Sequence, residues 1–378
     1  MGADDGDAVA MARELADGIA SRAAEADREG RLPREDVREL AESGYLGLAV
    51  PREYGGRGAS MREAVEAHLE LSKASASTGL VAAMNLHLVG TEREYEVWSD
   101  EHRERLFRAA TDGALLNSVA SEPALGSPSH GQAYETTAEP LGDGRLRIDG
   151  HKTWITGGRH LTHLLVKLDL GGEPAGVLVE GDRDGLRWEE TWGDALSLRA
   201  SDSHGLHLEN VVVPEGNVLV RGEGPDTDRG WFLALVAATY LGTALAARDA
   251  LVEYANDRVP TALDEPIATL PKIRRQVGDL DTRLRAAEAF LLSAAADWPG
   301  EPERNREYEP RIVAAKEFAT TTAIEAAGEA LRIAGGAGIT PSLPFERYFR
   351  DVQAGPMHPP SGEEALEQVG RDALDREV

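Results

Sequence analysis

Near the end of the chain, Phe349-Arg350-Asp351-Val352-Gln353-Ala354-Gly355-Pro356-Met357-His358-Pro359-Pro360 sets an imidazole between a charged pair and two prolines. An imidazole titrates near neutral pH, so His358 can serve as acid or base. The two prolines stiffen the loop that carries it. Two carboxylates follow closely, Glu363 and Glu364. A carboxylate can take a proton from carbon next to a carbonyl. Both read as the first turn of a terminal helix, with Ser361 as N-cap and Glu364 three residues on. Much earlier, Ser121-Glu122-Pro123 and Trp154-Ile155-Thr156-Gly157 place hydroxyls and an indole in a β-rich context. Gly335-Gly336-Ala337-Gly338 is a glycine turn that lets backbone come close to a ligand. No strand is evident before it, so it is not a dinucleotide-fold fingerprint.

Other reactive residues form no site by spacing. His160 and His163, and likewise His204 and His207, sit three apart in β-rich or turn contexts. Helical ligand spacing does not apply there, and no metal is expected. Ser127, Ser129 and His130 lack a visible triad partner, which argues against a hydrolase. Cysteine is absent, so there is no disulfide, thiolate nucleophile or cysteine-held metal.

The elements that must position these residues fall in three blocks. Residues from about Ala8 to Ala110 read as helical, with helices expected from Pro33 to Ser43 and from Met61 to about Ala74. Gly79 to Gly90 is nearly uncharged and expected in the core. From Leu115 the pattern turns to short alternating runs separated by Gly-Asp and Asp-Gly pairs, the look of a strand-and-turn domain. Leu141-Gly142-Asp143-Gly144-Arg145 is a hairpin signal. Helical periodicity returns in Trp231 to Asp257, Pro271 to Trp298 and Pro310 to Ala334. The expected division is a helical domain over 1–114, a β-domain over 115–224 and a second helical domain over 225–378.

The chain has 378 residues and a formal net charge of −26. That charge argues against nucleic acid and anionic membranes as partners. Phe232 to Ala247 is apolar but short of the roughly 20 residues that span a bilayer, so it reads as a buried helix. The acidic start is unlike a signal peptide and implies a cytoplasmic protein.

The α–β–α order is joined by an ordered set of motifs. These are Gly44-Tyr45-Leu46-Gly47-Leu48-Ala49-Val50-Pro51, Ala120-Ser121-Glu122-Pro123, Asp149-Gly150-His151-Lys152-Thr153-Trp154-Ile155-Thr156-Gly157, Leu208-Glu209-Asn210-Val211-Val212-Val213-Pro214, and Gly335 to Asp351. In order and spacing the chain resembles the acyl-CoA dehydrogenase superfamily of FAD flavoproteins over nearly its whole length. The resemblance implies an α+β fold: an N-terminal helical domain, a middle antiparallel β-domain and a C-terminal four-helix-type bundle. It implies FAD as cofactor, with Ser121, Trp154, Ile155 and Thr156 around the flavin ring. It puts Arg258 on the FAD pyrophosphate of a neighbouring subunit, and Gly335, Gly336 and Ser361 with the rest of the cofactor. Ser127 would lie near flavin and substrate. A homotetramer or homodimer is implied, served by an electron-transfer flavoprotein or a flavin reductase.

The family's catalytic glutamate position falls on Pro359, and a second family location falls on Phe232 and Leu233. Three readings follow. The first is α,β-desaturation of an acyl thioester, carried on CoA or a carrier protein, with Glu363 or Glu364 as base. The second is oxygen-dependent monooxygenation assisted by His358. The third is a flavin-bound scaffold without catalysis.

Overall fold

The computed structural model describes residues 5–124, 134–222 and 229–375. The N-terminal block is five helices: α1 (Asp5–Glu29), α2 (Arg34–Glu42), α3 (Met61–Ala74), α4 (Ala76–Tyr95) and α5 (Asp100–Thr111). Local chemistry starts three of them. Ser60 and Glu63 form a reciprocal capping box at α3, while Ser75 and Ser99 accept N–H bonds at the starts of α4 and α5. The uncharged stretch of α4 is buried, as its composition requires. At Gly90 an added Cβ would lie 2.3 Å from the Trp231 indole, so only glycine lets α4 pack this closely on the third block.

The middle block is a single sheet built from β1 (Leu116–Val119), β2 (Thr137–Pro140), β3 (Arg145–Ile155), β4 (His163–Leu170), β5 (Pro174–Glu180), β6 (Leu186–Glu189), β7 (His204–Pro214) and β8 (Val218–Arg221). The strand order is β6-β7-β3-β2-β4-β5-β8, with β1 paired to β4. The hairpin joins β2 to β3, with Leu141 N–H donating to the Arg145 carbonyl at 2.9 Å. Gly142 and Gly144 take φ of 79° and 81° there. The sheet is mixed rather than wholly antiparallel: β1 and β2 both run parallel to β4. Neither reaches β4 by a tight hairpin, and long connections permit parallel pairing.

The last block comprises α6 (Gly230–Asp257), α7 (Pro271–Ala296), α8 (Pro302–Ala334), α9 (Phe345–Asp351) and α10 (Gly362–Asp375). Helix α6 is long and apolar enough to cross a membrane, but 94% of its most apolar window is buried inside the protein. Helix α8 starts at Pro302, not Pro310. Asn305 secures the extra turns: it is fully buried, accepts the Glu301 N–H at 3.1 Å and donates to Glu94 of α4 at 3.2 Å. That anchoring outweighs the break a helical proline invites.

The Arg350-Asp351 pair clips the blocks together. The Arg350 fork grips Asp27 of α1 at 3.0 and 2.6 Å and also bonds Glu346. Asp351 accepts the Leu198 N–H at 2.9 Å through its carboxylate, and the Ser197 hydroxyl at 2.6 Å through its carbonyl. Burial pushes the Asp351 carboxyl up to about 6. The motif therefore fixes where the next residues, including His358, enter the molecule.

Candidate active site

The end of the sheet and the helices enclose a cavity of about 550 Å³, within the range of small-molecule sites. The sheet side is Asn117 to Ser121 and Thr153 to Thr156; α4 adds Leu80, Met84 and His87. Phe232 of α6 and the loop of Met357, His358 and Pro359 close it, with Trp192, Leu198 and Ser203 at the side.

The two hydroxyl segments are held side by side. Thr153 N–H donates to the Ser121 carbonyl at 3.0 Å, and Asn117 donates to the Thr156 carbonyl at 2.9 Å. The Thr156 hydroxyl meets that of Ser203 at 3.0 Å. The β3–β7 register shifts between Lys152 and Ile155, and Trp154 within this irregularity has φ of 57°. Its indole stays 56% exposed, while Ile155 beside it is buried. The buried Thr153 hydroxyl has no hydrogen-bond partner among the described residues. A flat indole, an apolar wall and hydroxyls with bonding capacity left fit the ring of a flavin with its polar edge.

Behind these segments lies a buried ion pair. Lys152 Nζ is 2.6 Å from Glu122 Oε1, and both side chains are 0% exposed. Glu122 also accepts the N–H groups of Glu135 and Thr136 at 2.7 and 3.0 Å. Burial lowers the Lys152 ammonium to about 8. Burial, the largest single influence, would raise the Glu122 carboxyl, but the hydrogen bonds from Lys152, Thr136 and Glu135 and the charge of Lys152 together outweigh it and hold the group below its ordinary value. The pair is thus ionised and ties the Ser121 segment to the Trp154 segment. Removing one partner strands a buried charge. Glu122→Gln is expected to destabilise the protein by about 3 kcal/mol and to weaken flavin retention, measured by denaturant unfolding and by flavin release. Unchanged values in both would contradict this role.

The opposite wall holds the imidazoles. His358 Nε2 is 2.7 Å from the Tyr240 phenol oxygen. Burial, and secondarily the nearby Lys316, lowers His358 to about 4; burial alone lowers His87 to about 4. Burial raises Tyr240 well above the ordinary phenol value. At neutral pH all three are uncharged. Phe232 lies between the imidazoles, edge-on to His87 at 5.3 Å and to His358 at 5.9 Å between centroids. Lys316 of α8, fully buried, donates to the carbonyls of His358 and Pro360 at 2.9 Å each, and so braces the loop.

The remaining expected residues lie elsewhere. Glu363 and Glu364 are exposed on the first turn of α10 and do not line the cavity. Glu364 accepts the Ser361 N–H and hydroxyl at 2.9 and 3.0 Å, which occupies Ser361 as a helix cap. Arg258 is exposed at the end of α6. Gly335 and Gly336 follow α8, and an added Cβ at either would meet open space. Tyr254, a turn before Arg258, bonds the Ala334 carbonyl at 3.3 Å, so these groups share one outer end of the bundle. Ser127 lies outside the described residues. Sequence reasoning did not single out His87, Tyr240, Lys316 or the Glu122–Lys152 pair. A lone histidine in the uncharged stretch from Gly79 to Gly90 was the available signal for His87.

Comparisons with known proteins agree with this architecture. Residues 5–114 match the family model "Acyl-CoA dehydrogenase, N-terminal domain", and residues 234–360 match "Acyl-CoA dehydrogenase, C-terminal domain". The chain is similar to the putative acyl-CoA dehydrogenase YdbM of Bacillus subtilis, 32% identical over 96% of this chain and 95% of the relative. Butyryl-CoA dehydrogenase from Megasphaera elsdenii shares the fold, with a TM-score of 0.86 at 24% identity over 99% of this chain and 100% of the other. A nitrososynthase from Micromonospora carbonacea var. africana superposes with a TM-score of 0.80 at 26% identity, covering 98% of this chain and 96% of the other. The α–β–α architecture, the cavity at the sheet end and these matches together place the chain in the acyl-CoA dehydrogenase family of flavoenzymes.

Proposed function

We propose that this chain is a flavin-dependent monooxygenase acting on a small, largely apolar substrate. The observation that carries the reading is the cavity wall: among the described residues it contains two imidazoles, His87 and His358, and no carboxylate. Desaturation of a thioester needs a base beside the α-carbon. Glu363 and Glu364, the nearest candidates in sequence, face solvent. A histidine lowered to about 4 is a weak base for a carbon acid.

A reduced flavin supplies the two electrons with which dioxygen is divided between substrate and water. Each such turnover also consumes two protons, and the residues on the cavity wall are suited to handling them. His358 stays neutral and, bonded through Nε2 to the Tyr240 phenol, can pass a proton along that hydrogen bond without keeping a charge. Lys316 fixes the loop so that the ring does not swing. The apolar side chains of Leu80, Met84 and Phe232 exclude water. FAD is the expected cofactor, with Ser121, Trp154, Ile155 and Thr156 around the ring. Arg258, Gly335 and Gly336 would serve its phosphates from the outer end of the bundle in a homo-oligomer. Support also comes from the nitrososynthase, whose name records formation of a nitroso group.

The test supplies the flavin-loaded protein with NADH and a flavin reductase under isotopically labelled dioxygen, with a panel of aromatic and amine compounds. Label in a product is expected. Absence of label across the panel, with flavin reduction by a thioester instead, would overturn the reading. That second reading, thioester dehydrogenation with an electron-transfer flavoprotein as acceptor, draws on the name of the Bacillus relative.

A further inference from the structure

We propose that His151, His207 and Glu189 form a binding site for a divalent transition-metal ion of the zinc class. The three come from three neighbouring strands, so no spacing within the sequence displays them. His151 of β3 and His207 of β7 are directly opposed in register. Their rings stack with centroids 3.9 Å apart at an interplanar angle of 13°. Glu189 of β6 reaches in from the next strand, its Oε2 lying 3.2 Å from His207 Nε2 and 3.5 Å from His151 Nε2. All three ligand atoms lie within 4.8 Å of one another.

Zinc bonds nitrogen and carboxylate oxygen at about 2.0–2.2 Å in a tetrahedron, which places ligand atoms a little over 3 Å apart. The carboxylate meets the two nitrogens at 3.2 and 3.5 Å, and the two rings, near parallel in this structure, must splay to aim both nitrogens at one ion. A second observation points to a ligand. His151 Nε2 is shielded from solvent and, among the described residues, makes no hydrogen bond of good geometry, its carboxylate neighbour Glu189 standing at 3.5 Å. A buried orphan of this kind calls for an ion or a water to satisfy it. Gly205 keeps the space open, since a Cβ there would stand 3.4 Å from Glu189 Oε2 and 3.5 Å from His151 Nε2. Arg187, opposite His207 in register, is occupied by Glu209 at 2.7 Å.

The site approaches the cavity along β3 and through the segment that joins β6 to β7. Thr153, two residues beyond His151, lines the cavity, as do Trp192 and Ser203 near Glu189 and His207. A bound ion would lock β6, β7 and β3 together beside the flavin ring. Two imidazoles and one carboxylate favour zinc, nickel or copper over magnesium or calcium, which take oxygen ligands.

The test titrates chelator-treated, flavin-loaded protein with zinc chloride by calorimetry, and repeats it with magnesium chloride. A saturable isotherm with one zinc per chain is expected, and none with magnesium. His151→Gln, Glu189→Gln and His207→Gln, each confirmed to melt as the parent does without metal, should each weaken zinc by at least about tenfold and abolish any zinc-induced rise in melting temperature. No saturable zinc binding, or an isotherm unchanged in the variants that fold as the parent does, would overturn the proposal.

Discussion

His358→Ala is expected to lower oxygen-dependent turnover by about 100-fold to 1,000-fold, the usual weight of a positioned proton-transfer group. Flavin affinity should stay within about threefold of the parent, because the hydroxyl and indole side of the cavity is untouched. His358 stands on the opposite wall, joined to Tyr240 at 2.7 Å and braced from behind by Lys316. Removing the ring takes away the proton-handling group without stranding a buried charge, since Tyr240 remains a neutral phenol. Tyr240→Phe should cost less, about tenfold, because it only releases the ring from one orientation. Turnover with the flavin reductase system and flavin titration measure the two quantities separately. A variant with full turnover would remove His358 from the mechanism. Equal loss of turnover and flavin binding would make its role structural.

The second large effect is on stability at acid pH. Burial lowers His68 to about 3, His87 to about 4 and His358 to about 4, against 6.5 for a free imidazole. The sign follows from proton counting. Between about pH 6 and pH 4 the unfolded chain binds protons at these sites and the folded chain does not, so stability falls as pH falls. Each group contributes about 1.4 kcal/mol per pH unit in that window, or about 4 kcal/mol per unit for three. Asp351 works in the opposite direction, because its carboxyl is raised to about 6 in the fold and protonates there first. The net loss is then about 3 kcal/mol per unit, a large share of the stability of a typical domain. Denaturant midpoints at pH 7, 6 and 5 measure it. His68→Asn should flatten the slope by about one group's share. A midpoint that does not move between pH 7 and pH 5 would contradict the assignment of these histidines as buried and neutral.

Much of the fold could be read from the sequence because its signals are local. Ser60 with Glu63 announces α3, the Gly-Asp-Gly turn announces the β2–β3 hairpin, and the uncharged run of α4 announces burial. The parallel pairing of β1 with β4 was not legible, since register between distant strands leaves no periodicity in either one. The same limit governs the site. Trp154, Ile155 and Thr156 share a short motif and line one cavity together. Tyr240 and His358 are 118 positions apart, and only packing brings them into contact. The Arg350-Asp351 pair was visible, but its work was not. Its partners Asp27, Ser197 and Leu198 belong to the other two blocks. Histidines compared along the chain gave no metal spacing, while the sheet sets His151 directly against His207.

The central claim is that this member of an acyl-CoA dehydrogenase family performs oxygen chemistry with imidazoles rather than desaturation with a carboxylate. The most direct test is the absorbance of the flavin-loaded protein mixed anaerobically with a broad panel of acyl-CoA and acyl-carrier thioesters. The cavity predicts that the oxidised flavin spectrum persists with every thioester, and that reduction requires an external flavin reductase. Bleaching by any thioester would contradict the claim, establish dehydrogenation, and send the search for a base to Glu363 and Glu364.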